Sequence, residues 1–436
     1  MSSGPFMSLV YRILKALVQL VLWIFYPRTT VIGKERLRFK ESAIVISNHP
    51  NTLIDPLQVA SRVHKQVFFL ANAGLFSTPF TNWLFNTLYC IPIKRKQDKG
   101  APGMSNEDSF AKCDEFLGAG GVLYIAPEGG SEMERRIRPF KTGTVRIALS
   151  AAQKKAFDLD ISILPIGLHY DQPNHFDTAC VVNVGEAVKI KDWQGQFEKD
   201  PQRAVRALTD QLEDQVRSLV IDVAEGEQQQ LHPLVEKICR NDTPLDAALD
   251  FERGQILANQ LKEAANKNSD NYQGFRERAQ QYLTNLAAKG IDDKNVSKEN
   301  ENFFLQLLVL ILGLPVFIYG AVNHLLAVGI PALLARTMKV YIGYQATIKA
   351  TVGLFTIPIF YLLQSKILGW YVGNTLSWVY LLSLPIVGWL AWKYWIFGNQ
   401  FRRSWNYARL KPQEKESLQE QRTNIATYIQ ESLLAH

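Results

Sequence analysis

A histidine and an aspartate with five residues between them are the strongest candidates for acid–base chemistry in this sequence. His49 and Asp55 lie in the segment S-N-H-P-N-T-L-I-D-P at 47–56, directly after a short apolar run. An imidazole can remove the proton of a hydroxyl as that hydroxyl attacks an activated carbonyl, and a carboxylate on the other ring nitrogen fixes the tautomer. The alternative is that Asp55 only caps a helix and His49 is an ordinary polar residue at a strand end.

The residues around this pair predict a strand, a turn and a helix. Pro50 favours an extended conformation at His49, and Asp55 followed by Pro56 is typical of a helix N-cap with proline in the first turn. On one regular helix, residues six apart would lie about 120° apart around the axis. The turn must therefore bend for the imidazole and the carboxylate to meet.

The region from 30 to 195 alternates short apolar runs with helix-like stretches, which predicts an α/β domain with a parallel or mixed sheet flanked by helices. Continuous apolar runs are expected for strands that are covered on both faces. The predicted strands are 42–48, 65–72, 88–95, 121–130, 161–170 and 178–188, and helical patterns occupy 56–64, 105–118 and 143–156.

The flanking regions predict four further segments. Residues 1–29 resemble an amphipathic membrane anchor, because Arg12 and Lys15 share one helix face; a signal peptide is the alternative. Residues 196–300 are polar and predict a helical soluble module, and 399–436 predict a cytoplasmic helical tail.

Residues 301–398 are strongly apolar and predict a transmembrane domain. Segments near 351–370 and 375–397 each reach the roughly 20 apolar residues that a helical span needs. The stretch 303–335 is interrupted by Pro315, Asn323 and Pro331, which predicts a broken helical hairpin, with His324 at its turn. This arrangement would place the α/β domain, the 336–349 loop and the basic tail together on the cytoplasmic side.

Charge and cysteine content narrow the possible partners. The net charge is +7 with a pI near 9.0, and the basic residues flank apolar segments, which favours membrane lipids over nucleic acid. Four scattered cysteines predict reduced thiols in a cytoplasmic environment. No His, Cys or carboxylate cluster has metal-ligand spacing, so no metal is expected.

Four ordered motifs resemble those of the phospholipid/glycerol acyltransferase (PlsC-like) family. N-H-P-N-T-L-I-D resembles its His/Asp motif, and I-P-I-K-R at 91–95 resembles its second block. A-P-E-G-G-S at 126–131, continued by P-F-K-T-G at 139–143, resembles its E-G-T-R-S block. L-P-I-G-L at 164–168 resembles its fourth, and the resemblance covers about 40–190.

The resemblance implies roles for several residues. His49 would be the general base and Asp55 would orient it, while Arg95 would lie against a glycerol phosphate. Glu128 would bind glycerol hydroxyls or organise the cations around the phosphate, unless it belongs to an ordinary strand-end turn. Gly129 and Gly130 would let the backbone approach the substrate closely.

Two departures from the family pattern affect the phosphate site. His49 and Asp55 are separated by five residues instead of four, and Ser131 stands where the family has an arginine. Both departures resemble a branch with fungal enzymes acting on glycerol 3-phosphate or dihydroxyacetone phosphate. Another cation must then hold the phosphate. Arg95 and Lys141 are the favoured phosphate ligands. The other candidate substrate-binding residues are Ser131 and the cluster of Arg135, Arg136 and Arg138. The alternative for that cluster is a solvated loop or a contact with lipid.

The predicted function is therefore transfer of a fatty acyl group from acyl-CoA or acyl-carrier protein to a hydroxyl of a glycerol-phosphate acceptor in phospholipid synthesis, without a cofactor. The acceptor is lysophosphatidate, slightly favoured, or glycerol 3-phosphate or dihydroxyacetone phosphate. The alternatives are a catalytically lapsed lipid-binding protein that keeps the fold, and a transporter, which too few spans and few intramembrane charges such as Lys366 disfavour. His169 and His175 receive no role.

Overall fold

The computed structural model describes residues 5–435 except 77, 80, 81, 84, 86–88, 94–105 and 298–301. The chain divides into two compact units. The first comprises Met1–Asp222 and Tyr341–Thr347, and the second comprises Val223–Val340 and Ile348–His436. Residues 196–222 thus belong with the α/β region rather than with 223–300, and the domain limits drawn from the sequence remain predictions.

A mixed eight-stranded sheet forms the centre of the first unit, which confirms the predicted α/β fold. Its main order is β1-β7-β6-β2-β5-β3-β4, with β8 pairing to β6. The pairings of β6 with β7 and with β8 are antiparallel, and the others are parallel. The strands are β1 (Arg28–Ile32), β2 (Ser42–Ser47), β3 (Val67–Asn72), β4 (Cys90–Ile93), β5 (Val122–Ile125), β6 (Ile161–Tyr170), β7 (Ala179–Val184) and β8 (Val188–Lys189).

Helices cover the sheet and carry the chain between strands. The helix that follows β2 carries Asp55 in its first turn. Buried leucines and valines of the helix Pro201–Ser218 pack into the hydrophobic core beside the sheet. Each predicted helical pattern contains a helix. The helices of this unit are α1 (Pro5–Phe25), α2 (Ile54–Ala60), α3 (Asn106–Gly118), α4 (Gly143–Lys154), α5 (Gln194–Lys199) and α6 (Pro201–Ser218).

The N-terminal helix α1 is amphipathic, as the sequence predicts. Its polar side chains face the α/β region, where Gln19 Nε2 donates to the Ser61 carbonyl at 2.8 Å and Lys15 Nζ donates to the Val63 carbonyl. Its opposite face exposes Leu9, Ile13, Leu20 and Trp23. That apolar face suits a membrane surface, and its role as an anchor remains a prediction.

The second unit is helical throughout its described length. Its core gathers apolar side chains from the polar helices and from the C-terminal tail, including Leu231, Phe275, Tyr282 and Ile425. Its helices are α7 (Gln228–Asp242), α8 (Ala247–Lys267), α9 (Asp270–Lys289), α10 (Asp293–Ser297), α11 (Phe303–Thr337), α12 (Tyr344–Val372), α13 (Asn374–Ala408) and α14 (Pro412–Tyr428). The last is followed by a π-helical turn, Ile429–Leu433.

Three helices in the described part of the chain are long and apolar enough to cross a bilayer: α11, α12 and α13. The predicted hairpin at 303–335 is wrong, because α11 is one helix of 35 residues with Pro315 and Pro331 inside it. Neighbouring helices and side chains can satisfy the backbone groups that a proline frees within a membrane. His324 is accordingly mid-helix, where its Nε2 lies 2.6 Å from the Tyr361 hydroxyl.

Candidate active site

The predicted pair is formed at the carboxyl end of β2. His49 lies two residues beyond this strand, and Asp55 lies in the first turn of α2 with no exposed surface. His49 Nδ1 and Asp55 Oδ2 are 2.9 Å apart, which is hydrogen-bond distance. Parallel strands commonly place functional groups at this edge of a sheet.

The bend that joins the pair occurs at Thr52. Its φ is +41°, a left-handed conformation that β-branched residues rarely adopt. Its N–H donates to Ser131 Oγ at 3.0 Å. The expected N-cap at Asp55 is wrong, because α2 begins at Ile54 and Leu53 occupies the cap position. Asp55 instead turns back over the bend, and its Oδ2 accepts the Asn51 N–H at 2.6 Å.

The Asp55 carboxylate is held by three donors. Besides His49 and the Asn51 N–H, the Tyr170 hydroxyl at the end of β6 donates to Oδ1 at 2.8 Å. Burial and the Asp55 charge raise the pKa of Tyr170 well above its ordinary value, so the hydroxyl stays protonated and remains a donor. With Nδ1 engaged on Asp55, Nε2 of His49 has no partner among the described residues and is available to a substrate hydroxyl.

Glu128 lies on the loop after β5 and joins the pair through the backbone. Its Oε1 accepts the His49 N–H at 2.9 Å, and its Oε2 accepts from Arg138 Nε at 3.0 Å. Burial raises the pKa of the Glu128 carboxyl, and Arg138 and the His49 N–H oppose that rise. Glu128 therefore connects the histidine loop to a cation.

The basic residues after Glu128 differ in their surroundings. All three nitrogens of the Arg138 guanidinium are engaged, by Glu128, by Glu132 Oε1 at 2.6 Å and by the Gly130 carbonyl at 2.7 Å. Arg136 lies 3.8 Å from Glu134. Arg135 is on the same loop, and Arg95 lies outside the described residues.

Lys141 lies against the loop turn at Gly129. Gly129 has φ +72°, and a Cβ built there would lie 2.4 Å from Lys141 Nζ, so this glycine provides both the conformation and the space. Within the described part of the chain, the Lys141 ammonium has no hydrogen-bond or ion-pair partner, whereas its N–H donates to the Pro127 carbonyl. Lys141 is thus a cation beside the Glu128 loop that an anionic group can approach.

Several residues of the site were not predicted. Asn48 fixes the histidine loop, because both ends of its amide bond the backbone of Leu168. Asn51 Nδ2 donates to the Tyr26 hydroxyl at 2.7 Å, which ties the end of α1 to the bend. Tyr170 falls within the predicted strand 161–170, and the sequence assigns it no role in the site. These contacts have no local sequence signal, because each joins segments distant in the chain.

No group of three or more His, Cys, Asp or Glu residues that could hold a metal ion occurs in the described residues. The site instead offers an imidazole oriented by a buried carboxylate and cations on the neighbouring loop. Chemically, such a site can remove a proton from a hydroxyl and bind an anionic group beside it.

Part of this domain is similar to a known protein family. Residues 28–169 match the model of the Acyltransferase family. The match includes the strand end with His49, the buried Asp55 and the Glu128 loop.

Several known proteins are similar to parts of this chain. The 1-acyl-sn-glycerol-3-phosphate acyltransferase of Borreliella burgdorferi is 26% identical over 182 residues, which is 42% of this chain and 67% of that protein. Glycerol-3-phosphate O-acyltransferase 2 of Saccharomyces cerevisiae is 30% identical over 105 residues, covering 24% of this chain and only 14% of the yeast protein. The crystal structure of PlsC, the 1-acyl-sn-glycerophosphate acyltransferase of Thermotoga maritima, is 17% identical with a TM-score of 0.36, over 50% of this chain and 84% of that one.

Proposed function

We propose that this protein transfers a fatty acyl group from an acyl thioester, acyl-CoA or acyl-carrier protein, to a hydroxyl of a glycerol-phosphate acceptor. The observation that carries the proposal is the 2.9 Å contact of His49 Nδ1 with the fully buried Asp55 carboxylate, which leaves Nε2 for the acceptor. The family of residues 28–169 supports the same chemistry.

In this reaction His49 Nε2 takes the proton of the acceptor hydroxyl as its oxygen attacks the thioester carbonyl. Collapse of the tetrahedral intermediate breaks the carbon–sulfur bond, and the imidazolium returns the proton to the departing thiolate. Asp55 stabilises the imidazolium through Nδ1, and the donors Tyr170 and Asn51 fix the carboxylate. No protein nucleophile is needed, because the acceptor supplies the attacking oxygen.

The acceptor phosphate would be bound by Lys141 and Arg95. Lys141 offers an ammonium without a partner among the described residues, beside the turn at Gly129. Arg138 has its three nitrogens engaged, so we assign it the positioning of Glu128 rather than first contact with the phosphate. Ser131, Gly130 and Arg135 complete the proposed binding loop.

We favour lysophosphatidate as the acceptor, converted to phosphatidate. The relative from Borreliella burgdorferi carries that activity in its name and is matched over 67% of its length, against 14% for the yeast glycerol-3-phosphate enzyme. The three apolar helices are long enough to cross a bilayer, and a membrane location would bring a lipid acceptor to the enzyme. Glycerol 3-phosphate or dihydroxyacetone phosphate remains the second candidate.

We also propose that the acyltransferase domain faces the cytoplasm. Support comes from Cys90, Cys113 and Cys180, which are not joined in disulfides, as is usual in a reducing cytoplasm. The acyl thioester donors would also be supplied from the cytoplasm. The 336–349 loop is not placed on this side by a hairpin at 303–335, because the structure has one helix there.

The test is acyl transfer from palmitoyl-CoA, and separately from acyl-carrier protein, to lysophosphatidate or glycerol 3-phosphate in membranes. His49→Ala should lower kcat by about 10²–10⁴-fold with every competent acceptor. Lys141→Gln should raise the KM for the acceptor about tenfold, while Lys155→Gln, at an exposed position, serves as the matched control. Full activity in His49→Ala would contradict the proposal, and no transfer to any acceptor would favour the lapsed lipid-binding protein.

A further inference from the structure

The catalytic bend contains a residue in an unfavourable conformation. Thr52 combines a β-branched side chain with φ +41°, and it is almost fully buried. Such a conformation persists only where surrounding contacts enforce it. The bend has to be kept, because it brings His49 to Asp55.

The contacts of the Thr52 side chain come from the far C-terminal part of the chain. Thr52 Oγ1 donates to the Gly343 carbonyl at 3.1 Å and lies 2.9 Å from Thr347 Oγ1. Since the Thr52 hydroxyl has one proton, given to Gly343, Thr347 is the donor in the second bond. The two partners lie 291 and 295 residues away along the chain, in the segment Tyr341–Thr347, which packs within the first unit.

The same segment contacts the other loops of the site. The Tyr341 hydroxyl accepts the Met133 N–H on the Glu128–Arg138 loop. Gln345 Oε1 accepts from Asn174 Nδ2 at 3.4 Å, close to the Pro173 carbonyl that also receives Asn51 Nδ2. Tyr341–Thr347 therefore bonds both the histidine loop and the loop that carries the proposed phosphate ligands.

We propose that Tyr341–Thr347 positions the catalytic bend, with Thr347 as the positioning residue that acts through Thr52 on His49 and Asp55. This inference rests on the proposed function, because it takes His49 as the base. The segment lies outside the matched residues 28–169, so the catalytic geometry depends on residues between α11 and α12 and in the first turn of α12.

The kinetic test uses the full chain in membranes. Thr347→Val removes the hydroxyl donor with little change in volume and should lower kcat about tenfold, with little effect on the KM for the acceptor, because a misplaced base costs rate rather than binding. Thr347→Ser keeps the donor and should restore most of kcat. Thr337→Val is the matched control, since Thr337 is exposed and donates to its own helix at Leu333.

A double-mutant experiment distinguishes positioning of the bend by Thr347 from a general packing role of that residue. Glycine adopts positive φ without a penalty and lacks the hydroxyl, so in a Thr52→Gly background Thr347→Val should cause no further loss. Non-additivity of this kind is expected only if residue 347 acts through residue 52. Equal losses in both backgrounds would overturn the inference.

Amide hydrogen exchange tests the positioning role of Thr347 without an activity assay. The N–H groups of His49, Asn51 and Thr52 are bonded to Glu128, Asp55 and Ser131. In purified full-length protein, Thr347→Val should speed exchange in the peptide that spans these residues several-fold, and Thr337→Val should not. Identical exchange in the two variants would reject the inference, whereas activity that survives His49→Ala would reject the proposed function instead.

Discussion

Asp55 carries no exposed surface and depends on its donors to remain a useful partner for His49. A buried carboxylate is costly unless its oxygens are satisfied, and here each oxygen accepts at least one hydrogen bond. Tyr170 supplies the bond to Oδ1 from the end of β6. At the scale of single residues, the orientation of the base therefore depends on a hydroxyl from the middle of the sheet.

Tyr170→Phe should lower kcat about tenfold, equivalent to about 1.4 kcal/mol of transition-state stabilisation, because Asp55 loses one donor and holds His49 less firmly. Tyr282→Phe is the matched control, since it removes a buried tyrosine–aspartate bond to Asp293 in the second unit. Steady-state kinetics and thermal unfolding of both variants check the expectation. A stability loss in both with kcat unchanged in both would contradict it.

The cysteines offer a second residue-scale prediction. Burial raises the pKa of Cys90 and Cys113 to about 12 and that of Cys239 to about 11, and it raises the pKa of the fully buried Cys180 as well. At pH 8 a thiol with a pKa of 11 is ionised to roughly one part in a thousand, so little nucleophilic thiolate exists.

Iodoacetamide at pH 8 should accordingly leave acyl transfer unchanged in native membranes. Mass spectrometry should find the four cysteines unmodified until the protein is denatured. Rapid alkylation of Cys113, Cys180 or Cys239 in the active protein would count against the burial seen here.

Strand β6 is the element that connects the site to the core. All ten of its residues are buried, and it pairs with β2 on one side and with β7 and β8 on the other. It carries Tyr170 at its end and Gly167 beneath the residues that follow α6. A Cβ at Gly167 would lie 2.1 Å from the Leu219 carbonyl oxygen, so no side chain fits there.

Gly167→Ala should destabilise the protein by about 1–3 kcal/mol, because the added methyl group forces Leu219 away from the sheet. Gly195→Ala is the control, since a Cβ at Gly195 meets nothing within 4 Å and alanine favours the helix there. Thermal unfolding of the detergent-solubilised protein measures both. A Gly167→Ala protein as stable as the wild type would contradict the packing of α6 against β6.

At the scale of the whole molecule, three helices in the described part of the chain are long and apolar enough to cross a bilayer. Each of α11, α12 and α13 has at least 29 residues, well above the roughly 20 that a bilayer requires. A continuous α11 that crosses a membrane would have its two ends on opposite faces, whereas a hairpin would return both ends to one face.

Single cysteines at Asn302 and Met338, which flank α11, distinguish these arrangements. In sealed vesicles a membrane-impermeant maleimide should label Asn302→Cys and Met338→Cys from opposite sides. The native thiols, three of them buried and Cys90 half-buried with a raised pKa, should give little background. Labelling of both positions from the same side would contradict a continuous membrane-crossing α11 and support the hairpin at 303–335.

The sequence alone determined the α/β class, the strand that precedes His49 and the residue types of the proposed base, its carboxylate and Glu128. Those features are local: an apolar run, a turn with proline and a short motif each lie within about ten residues. It missed β1, because Arg28–Ile32 has only two apolar residues and forms a strand by pairing with β7. The sequence also predicted an interruption at Pro315 and Pro331, whereas the structure has both prolines inside one continuous helix, α11.

Only the tertiary structure decided how the pair is built. The bend depends on Thr52 in a left-handed conformation, on Tyr170 at the end of another strand and on Thr347 near the start of α12. Arg138 likewise turned from a candidate phosphate ligand into a partner of Glu128. These contacts join residues up to 295 positions apart, and hydrogen bonds between such distant groups exist only once the chain has folded, so no local pattern records them.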